Sequence, residues 1–436
     1  MGNLLLNAWS TVGSVALAIL ILLVMITIHE FGHYLAGKIL KFKIDEFSIG
    51  FGPALFKHRS KKTGELFAFR LIPLGGYCAF AGEDGLEEEK QASSEPPAGE
   101  QPEAEQTAQA QPAEDLAPQP EEGSVPQQGQ PAEERDSPPK EAALPEGERA
   151  GLFTKMAPWK RIIVLVAGAF MNYVLAVFLI ITCFFAYGQT MVAVWKAEPT
   201  AQIAEEYCLR DLDILLEAEG KNLYLTTDIA QALNGRKEGD LVDLRISRVT
   251  GTDGERYVRE EMDVRIMLRS DVTVENSADL DGVWRALGIA YESEGDGGTW
   301  QLANASYRFG FWETLGRSFA YSFKIAGSIF KVLGELLTGR LGLSALGGPV
   351  TTITLTSQIA GSSFRGFLEI AGFLGVNLAV FNLLPIPALD GSKVVFTVIE
   401  WIRGKPISRK VEAIIHAVGF VLLLGFAVLV DILQFV

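Results

Sequence analysis

His29 and His33, with Glu30 between them, are the first residues of the chain whose types and spacing could do chemistry. The run HEFGH sets two imidazoles at i and i+4, one turn apart on the same face of a helix. Two imidazoles so placed form a clamp for Zn2+, and the intervening carboxylate lies beside the metal. Zinc lowers the pKa of a bound water towards ~7, and a neighbouring carboxylate can take its proton and pass it to a leaving amine. That is peptide-bond hydrolysis. Such a site needs a third protein ligand and an open position. Downstream, VNLAVFNLLPIPALDGSK (Val376–Lys393) is an apolar run broken by Pro385 and Pro387 that ends in Asp390-Gly391. Prolines unwind a helix where its backbone lines a polar cavity, which lets Asp390 reach the metal.

The position of the motif strengthens the reading, because HEFGH closes an apolar segment long enough to cross a bilayer. Ionisable groups at membrane depth are costly and usually functional. The bland alternative for Asp390 is a polar turn at a helix end. The chain has 4 histidines. His58, among Lys57, Arg59, Lys61 and Lys62, reads as a solvated loop residue, and His416, opening the last apolar stretch, as an interfacial or packed one. Cys78, Cys183 and Cys208 are widely spaced without a CxxC pair, so neither a disulfide framework nor a cysteine zinc site is indicated.

The elements that must carry these residues are long and apolar. Hydrophobic residues make up 48% of the chain, concentrated in Val12–Ile28 with its continuation to Leu40, Ile162–Tyr187, Phe367–Leu384 and Ala413–Val430. Each approaches the length a helix needs to cross a ~30 Å hydrocarbon core. Buried helices of a large soluble protein rarely run so long with so few charges. The first stretch lacks a preceding basic residue and a small-residue cleavage site, so it is expected to be retained. The net charge of −15 is local: Glu83–Ala150 holds 19 acidic and 4 basic residues. This Pro/Glu/Gln/Ala-rich segment has too little apolar surface to offset its ordering entropy, and it reads as a disordered tether. Its acidity therefore says nothing about the partners of the fold, and no nucleic-acid partner is expected.

Residues 1–37 and those after Lys410 contain no Lys or Arg, whereas Lys38–Lys62, Lys155–Arg161 and Lys393–Lys410 are rich in them. Basic loops stay in the cytoplasm, which puts both termini and the segment between the second and third spans outside. That segment alternates DILLEAEGKNL, the helix-like TTDIAQALNGRKEGD, DLVDLRISRV and YVREEMDVRIML. Strand, helix, strand, strand is similar to the order of a PDZ domain. The following RFGFWETLGRSFAYSFKIAGSIFKVLGELL spaces apolar residues as a helix lying at a membrane surface does, or as an ordinary packed helix does.

Taken together, HEFGH and FNLLPIPALDG resemble the site-2 proteases, in particular the bacterial regulator-of-sigma-E protease group. The resemblance implies that His29, His33 and Asp390 bind zinc, that Glu30 activates water, and that Asn382 and Pro385 contact substrate. Relatives carry G-P-x-x-N in the second span; here GAFMN keeps Gly168 and Asn172 but has Ala169 in place of proline, and Asn172 is expected to contact substrate too. GELFAFRLIPLGGYCAFAGED (64–84) is similar to the family's cytoplasmic β-hairpin, whose strand edge could pair with an unwound substrate.

The expected fold is a polytopic α-helical membrane protein with four transmembrane helices, a cytoplasmic membrane-associated β-hairpin and an extracytoplasmic PDZ-like α+β domain. Its parts are a first span with HExxH (1–40), a hairpin loop (41–84), the acidic insert (85–150), a second span (151–188) and the PDZ-like domain (189–270). A linker with the amphipathic helix (271–365), a third span with NxxPxPxLDG (366–392), a cytoplasmic loop (393–410) and a fourth span (411–436) complete it. The implied activity is cleavage of single-span regulatory proteins, such as anti-sigma factors, or of remnant signal peptides in a bacterial cytoplasmic membrane. A PDZ-bearing scaffold and a metal transporter are the rival classes. The intact HExxH with Asp390 argues against the scaffold, and the scarcity of polar residues in the second and fourth stretches against the transporter.

Overall fold

A computed structural model describes residues 2–83, 151–254, 256–294 and 297–435. The acidic insert expected at 85–150 lies outside the described residues. Among the described residues, four helices are long and apolar enough to cross a membrane: Val12–Ile39 within α1 (Gly2–Ile39), α2 (Pro158–Tyr187), α7 (Phe364–Leu383) and Lys410–Gln434 within α9 (Arg409–Phe435). Pro158 at the start of α2 costs nothing, because the first amides of a helix have no intrahelical partner.

Between α1 and α2 lies a hairpin of β1 (Ile44–Arg59) and β2 (Leu66–Phe80), an antiparallel two-stranded sheet. A buried Glu65 carboxylate fastens it to α1, accepting from Lys38 Nζ at 2.5 Å and the Tyr34 hydroxyl at 3.3 Å. Phe42, Ile44, Phe80 and Phe153 pack with Val164 and Leu165 of α2 beneath it. The described chain breaks off after Glu83 and resumes at Gly151. Two backbone hydrogen bonds of 2.9 Å join the two sides of that break, Lys43 N–H to Gly151 O and Phe153 N–H to Ala81 O, and a third of the same length, Ala81 N–H to Lys43 O, ties their near-side ends together.

After α2 comes a mixed unit of β3 (Gln189–Val194), β4 (Ile214–Ala218), β5 (Lys221–Asn222), α3 (Thr226–Leu233), β6 (Leu241–Asp253) and β7 (Arg256–Met267). It continues with α4 (Asp281–Ala286), β8 (Tyr291–Glu294), β9 (Gly297–Trp300) and β10 (Leu302–Tyr307). The main sheet runs β10-β3-β4-β6-β7, with β5 beside β4. One buried cluster holds Leu215, Ile229, Leu233, Leu244, Ile246 and Ile266 together with Trp284, Leu287 and Ile289. The compact unit therefore does not end at 270. Trp284, Leu287 and Ile289 complete its core, and β10 pairs along the whole of β3.

α5 (Phe311–Leu337) is amphipathic, with Phe319, Phe323 and Phe330 exposed and Ile325 and Ile329 buried against α2 and α7. Its buried Arg317 reaches Gln189 Oε1 at 2.8 Å, Asn222 Oδ1 at 2.6 Å and Leu223 O at 2.6 Å, which ties the helix to the sheet. Like the short α4, two further helices have no counterpart in the sequence reading: α6 (Pro349–Ser362) and α8 (Asp390–Arg403). Residues of α1, α6 and α7, including Ile21, Met25, Ala360, Ala371 and Leu374, share one apolar cluster.

Candidate metal centre

α1 presents His29 and His33 to α2, and both are buried. The two helices approach closely because their contact is made by glycines. A Cβ on Gly32 would lie 2.8 Å from the Ala167 carbonyl carbon, and one on Gly168 would lie 2.9 Å from His29 Cε1 and overlap the His33 ring. This approach lets His33 Nδ1 reach the Val164 carbonyl at 2.8 Å. A carbonyl only accepts, so His33 carries its hydrogen on Nδ1 and turns the lone pair of Nε2 outward.

Asp390 arrives from the far end of the chain. α7 stops at Leu383 rather than running on to 392, because Pro385 and Pro387 cannot continue it. Ala388 takes a left-handed φ of 78°, and the chain turns into α8 with Asp390 in its first turn. The next residue must be small: a Cβ on Gly391 would stand 2.5 Å from the Leu383 carbonyl carbon. α8 is held against α2 by a buried ion pair, Arg161 Nη1 to Glu400 Oε2 at 2.7 Å.

The three side chains meet. Asp390 Oδ2 lies 2.8 Å from His29 Nε2 and 3.3 Å from His33 Nε2, and the two Nε2 atoms are 3.1 Å apart. Among the described residues this is the one cluster of three or more His, Cys, Asp or Glu that offers ligand atoms within 4.8 Å of one another. For zinc bonds of ~2.0–2.1 Å the edge of a tetrahedron is about 3.3 Å, so the triangle fits zinc after opening by at most about half an ångström. The donor set also suits it: two imidazoles and a carboxylate, with one face open.

That face is a cavity of about 410 Å³ walled by His29, His33 and Asp390 with Glu30, Asn172, Asn382, Lys393 and the β2 segment from Gly75 to Cys78. The hairpin closes directly over Glu30, since a Cβ on Gly76 would be 3.1 Å from Glu30 Cγ. Burial pushes the Cys78 thiol well above its usual range, so it is a poor nucleophile beside the site.

The chain belongs to peptidase family M50. The family model matches residues 17–426, spanning both HEFGH and the Asp390 loop. A protein of Clostridium perfringens bearing the name of a zinc metalloprotease is 28% identical over 417 residues, covering 95% of this chain and 96% of its own. Zinc metalloprotease RasP of Bacillus licheniformis is 29% identical over 434 residues, covering 93% and 94%. A Brucella suis protein of similar name is 26% identical over 420 residues, covering 95% and 93%. This M50 peptidase is thus a membrane zinc metalloprotease, as its motifs led one to expect.

Against the residues singled out from the sequence of this M50 chain, the structure brings His29, Glu30, His33, Asn172, Asn382 and Asp390 around one cavity. Pro385 is exposed and is absent from the residues lining that cavity; its visible effect is to end α7. Both asparagine amides approach His29 Nδ1, Asn172 Nδ2 at 3.4 Å and Asn382 Nδ2 at 3.3 Å. His58 is exposed as expected, but in β1 rather than in a loop. His416 takes a part no sequence signal announced: its Nδ1 accepts from the Ala388 N–H at 3.1 Å, linking α9 to the turn that delivers Asp390. The Val164 carbonyl, Lys393 and Glu83 were also missed, the last two forming an ion pair of 2.7 Å at the cavity mouth.

Proposed function

We propose that the chain is an intramembrane endopeptidase in which His29, His33 and Asp390 hold the zinc ion and Glu30 carries the proton. The observation behind this reading is the meeting of Asp390 Oδ2 with both imidazoles at 2.8 and 3.3 Å across 361 residues of sequence, on a cavity that Glu30 also faces. Zinc, when bound, supplies the Lewis acidity that polarises the scissile carbonyl and acidifies water. Glu30 takes the proton of the attacking water and delivers it to the amide nitrogen as the C–N bond breaks. Asn382, in the last turn of α7, contacts the substrate backbone beside the metal.

A helical substrate hides its amides, so it must unwind before it is cut. In a two-stranded sheet each strand keeps one edge without a strand partner among the described residues, and β2 lines the cavity. Pairing of the unwound segment with β2 supplies the hydrogen bonds lost on unwinding. The exposed Phe51, Leu55, Phe56, Leu71 and Ile72 suit a hairpin that dips into lipid. With the basic loops inside, both termini and the mixed unit lie outside, in the cell membrane of a bacterium. The mixed unit acts there as a PDZ-like size filter, passing single-span proteins already shortened by another protease, anti-sigma factors or remnant signal peptides among them.

The test is Glu30→Gln, which keeps the size of the side chain and removes the proton acceptor. Zinc content of the purified protein should be retained, while cleavage of a membrane-tethered single-span reporter falls ~10²–10⁴-fold. Persistent cleavage by that variant ends the assignment.

A further inference from the structure

We propose that Asn172 is a positioning residue whose carboxamide oxygen accepts the Nδ1 hydrogen of His29, fixing that ring with its Nε2 lone pair towards zinc. The inference rests on the reading of His29 as a ligand, and it replaces the substrate contact that motif resemblance implies for Asn172.

A neutral imidazole has one N–H and one lone pair. Nε2 of His29 is the nitrogen that meets Asp390 and His33, at 2.8 and 3.1 Å, so Nδ1 must bear the hydrogen and needs an acceptor. His33 has its acceptor in the Val164 carbonyl. At His29 Nδ1 the two carboxamides are the hydrogen-bonding groups among the described residues, each with its NH2 group turned to the ring, at 3.4 and 3.3 Å. Two donors cannot serve a third.

Asn172 resolves the conflict. Its side chain is buried, with 1% exposure, and its Oδ1 is the one buried carboxamide oxygen without a partner among the described residues. A half-turn about the last side-chain bond exchanges oxygen and nitrogen within the same volume. The orphaned oxygen then meets the orphaned hydrogen, and two unsatisfied buried groups become one hydrogen bond. Asn382 is the weaker candidate, since it is partly exposed in the cavity wall. Asn172 sits mid-way along α2, one turn beyond Gly168, on the helix that already orients His33 through Val164.

The test uses the full chain purified in detergent, with zinc affinity read by competition against a chromophoric chelator. Asn172→Leu keeps the bulk and lacks an acceptor; Asn172→Asp keeps the shape and can only accept. The expected result is a 10–100-fold loss of zinc affinity in the leucine variant and retention within about threefold in the aspartate variant. Equal loss in both variants, or wild-type affinity in both, overturns the proposal. Should either variant fail to fold, the wild type decides: histidine-selective ¹⁵N spectra of the zinc-loaded protein should place the hydrogen of His29 on Nδ1. A hydrogen on Nε2 overturns it. A His29→Ala control that binds zinc normally would instead remove His29 from the ligand set, a failure of the underlying reading rather than of the role of Asn172.

Discussion

Gly168→Ala should weaken zinc binding. The new Cβ would lie 2.9 Å from His29 Cε1 and closer still to the His33 ring. Ordinary carbon contacts are at ~3.5–4.0 Å, so at least about 0.6 Å of movement is forced on a ring whose metal geometry tolerates roughly 0.2 Å. Neither ring can yield freely, because His33 is tied to Val164 O at 2.8 Å and His29 is enclosed by Asp390, Asn172 and Asn382. Overpacking at a buried contact costs about 1–3 kcal/mol, which corresponds to zinc affinity lower by roughly fivefold to 150-fold if the strain falls on the site. The control is Gly327→Ala in α5, where a Cβ meets nothing within 4 Å. Helix propensity there favours alanine by up to ~1 kcal/mol, so stability should hold or rise and zinc affinity stay unchanged. Both variants are measured by chelator competition and thermal unfolding with and without zinc. Wild-type zinc affinity in Gly168→Ala would refute the idea that the glycine contact between α1 and α2 shapes the site.

Asp390→Ala should lower the zinc content of purified protein, and unchanged stoichiometry by elemental analysis would remove it as a ligand. Arg161→Met takes the Arg161 cation away from the buried Glu400 carboxylate and should cost ~3–5 kcal/mol, whereas Arg161→Met with Glu400→Met should be far milder; a loss in the double variant equal to the sum of the losses in Arg161→Met and Glu400→Met would show that the pair has no coupling. The Tyr307 hydroxyl, pushed up to about 12 by burial and by the Glu261 carboxylate it donates to at 2.5 Å, is raised above the ~10 of unfolded tyrosine. Its stabilisation is complete below that unfolded value and lost as pH rises through the folded one, so Tyr307→Phe should unfold earlier than wild type at pH ~8 and converge with it towards pH ~12. A gap that stays constant across this window would discount the hydroxyl.

The chemistry was legible because it is written in residue types at short spacing. HEFGH and the Pro385–Asp390 run state a clamp and a broken helix without reference to anything else, and the alternating DLVDLRISRV became β6. What was hidden depends on distant backbone. Val164 orients His33 through a carbonyl that every residue possesses, so no side-chain signal could mark it. β10 joins β3 across more than a hundred residues, and LANASY is too polar and short to declare itself a core-side strand, which is why the mixed unit seemed to end early. α8 reads as part of a cytoplasmic loop because Lys393, Arg403, Lys405, Arg409 and Lys410 dominate the segment 393–410; its buried face, with Thr397 and Glu400, appears only once α2 supplies Arg161. His416 could not be assigned from spacing at all, since its partner is the Ala388 amide in the turn after α7.

The three hydrogen bonds that join Lys43, Ala81, Gly151 and Phe153 have an evolutionary corollary. With its base stitched shut, the excursion between Ala81 and Phe153 can change length at little energetic expense. Closure entropy grows only with the logarithm of length, so going from about 70 residues to about 9 alters it by roughly 2 kcal/mol. Lineages are therefore at liberty to expand, recompose or discard this stretch while the helices around the histidines stay as they are. The same seam offers a practical splice point for a fluorescent reporter or an affinity handle.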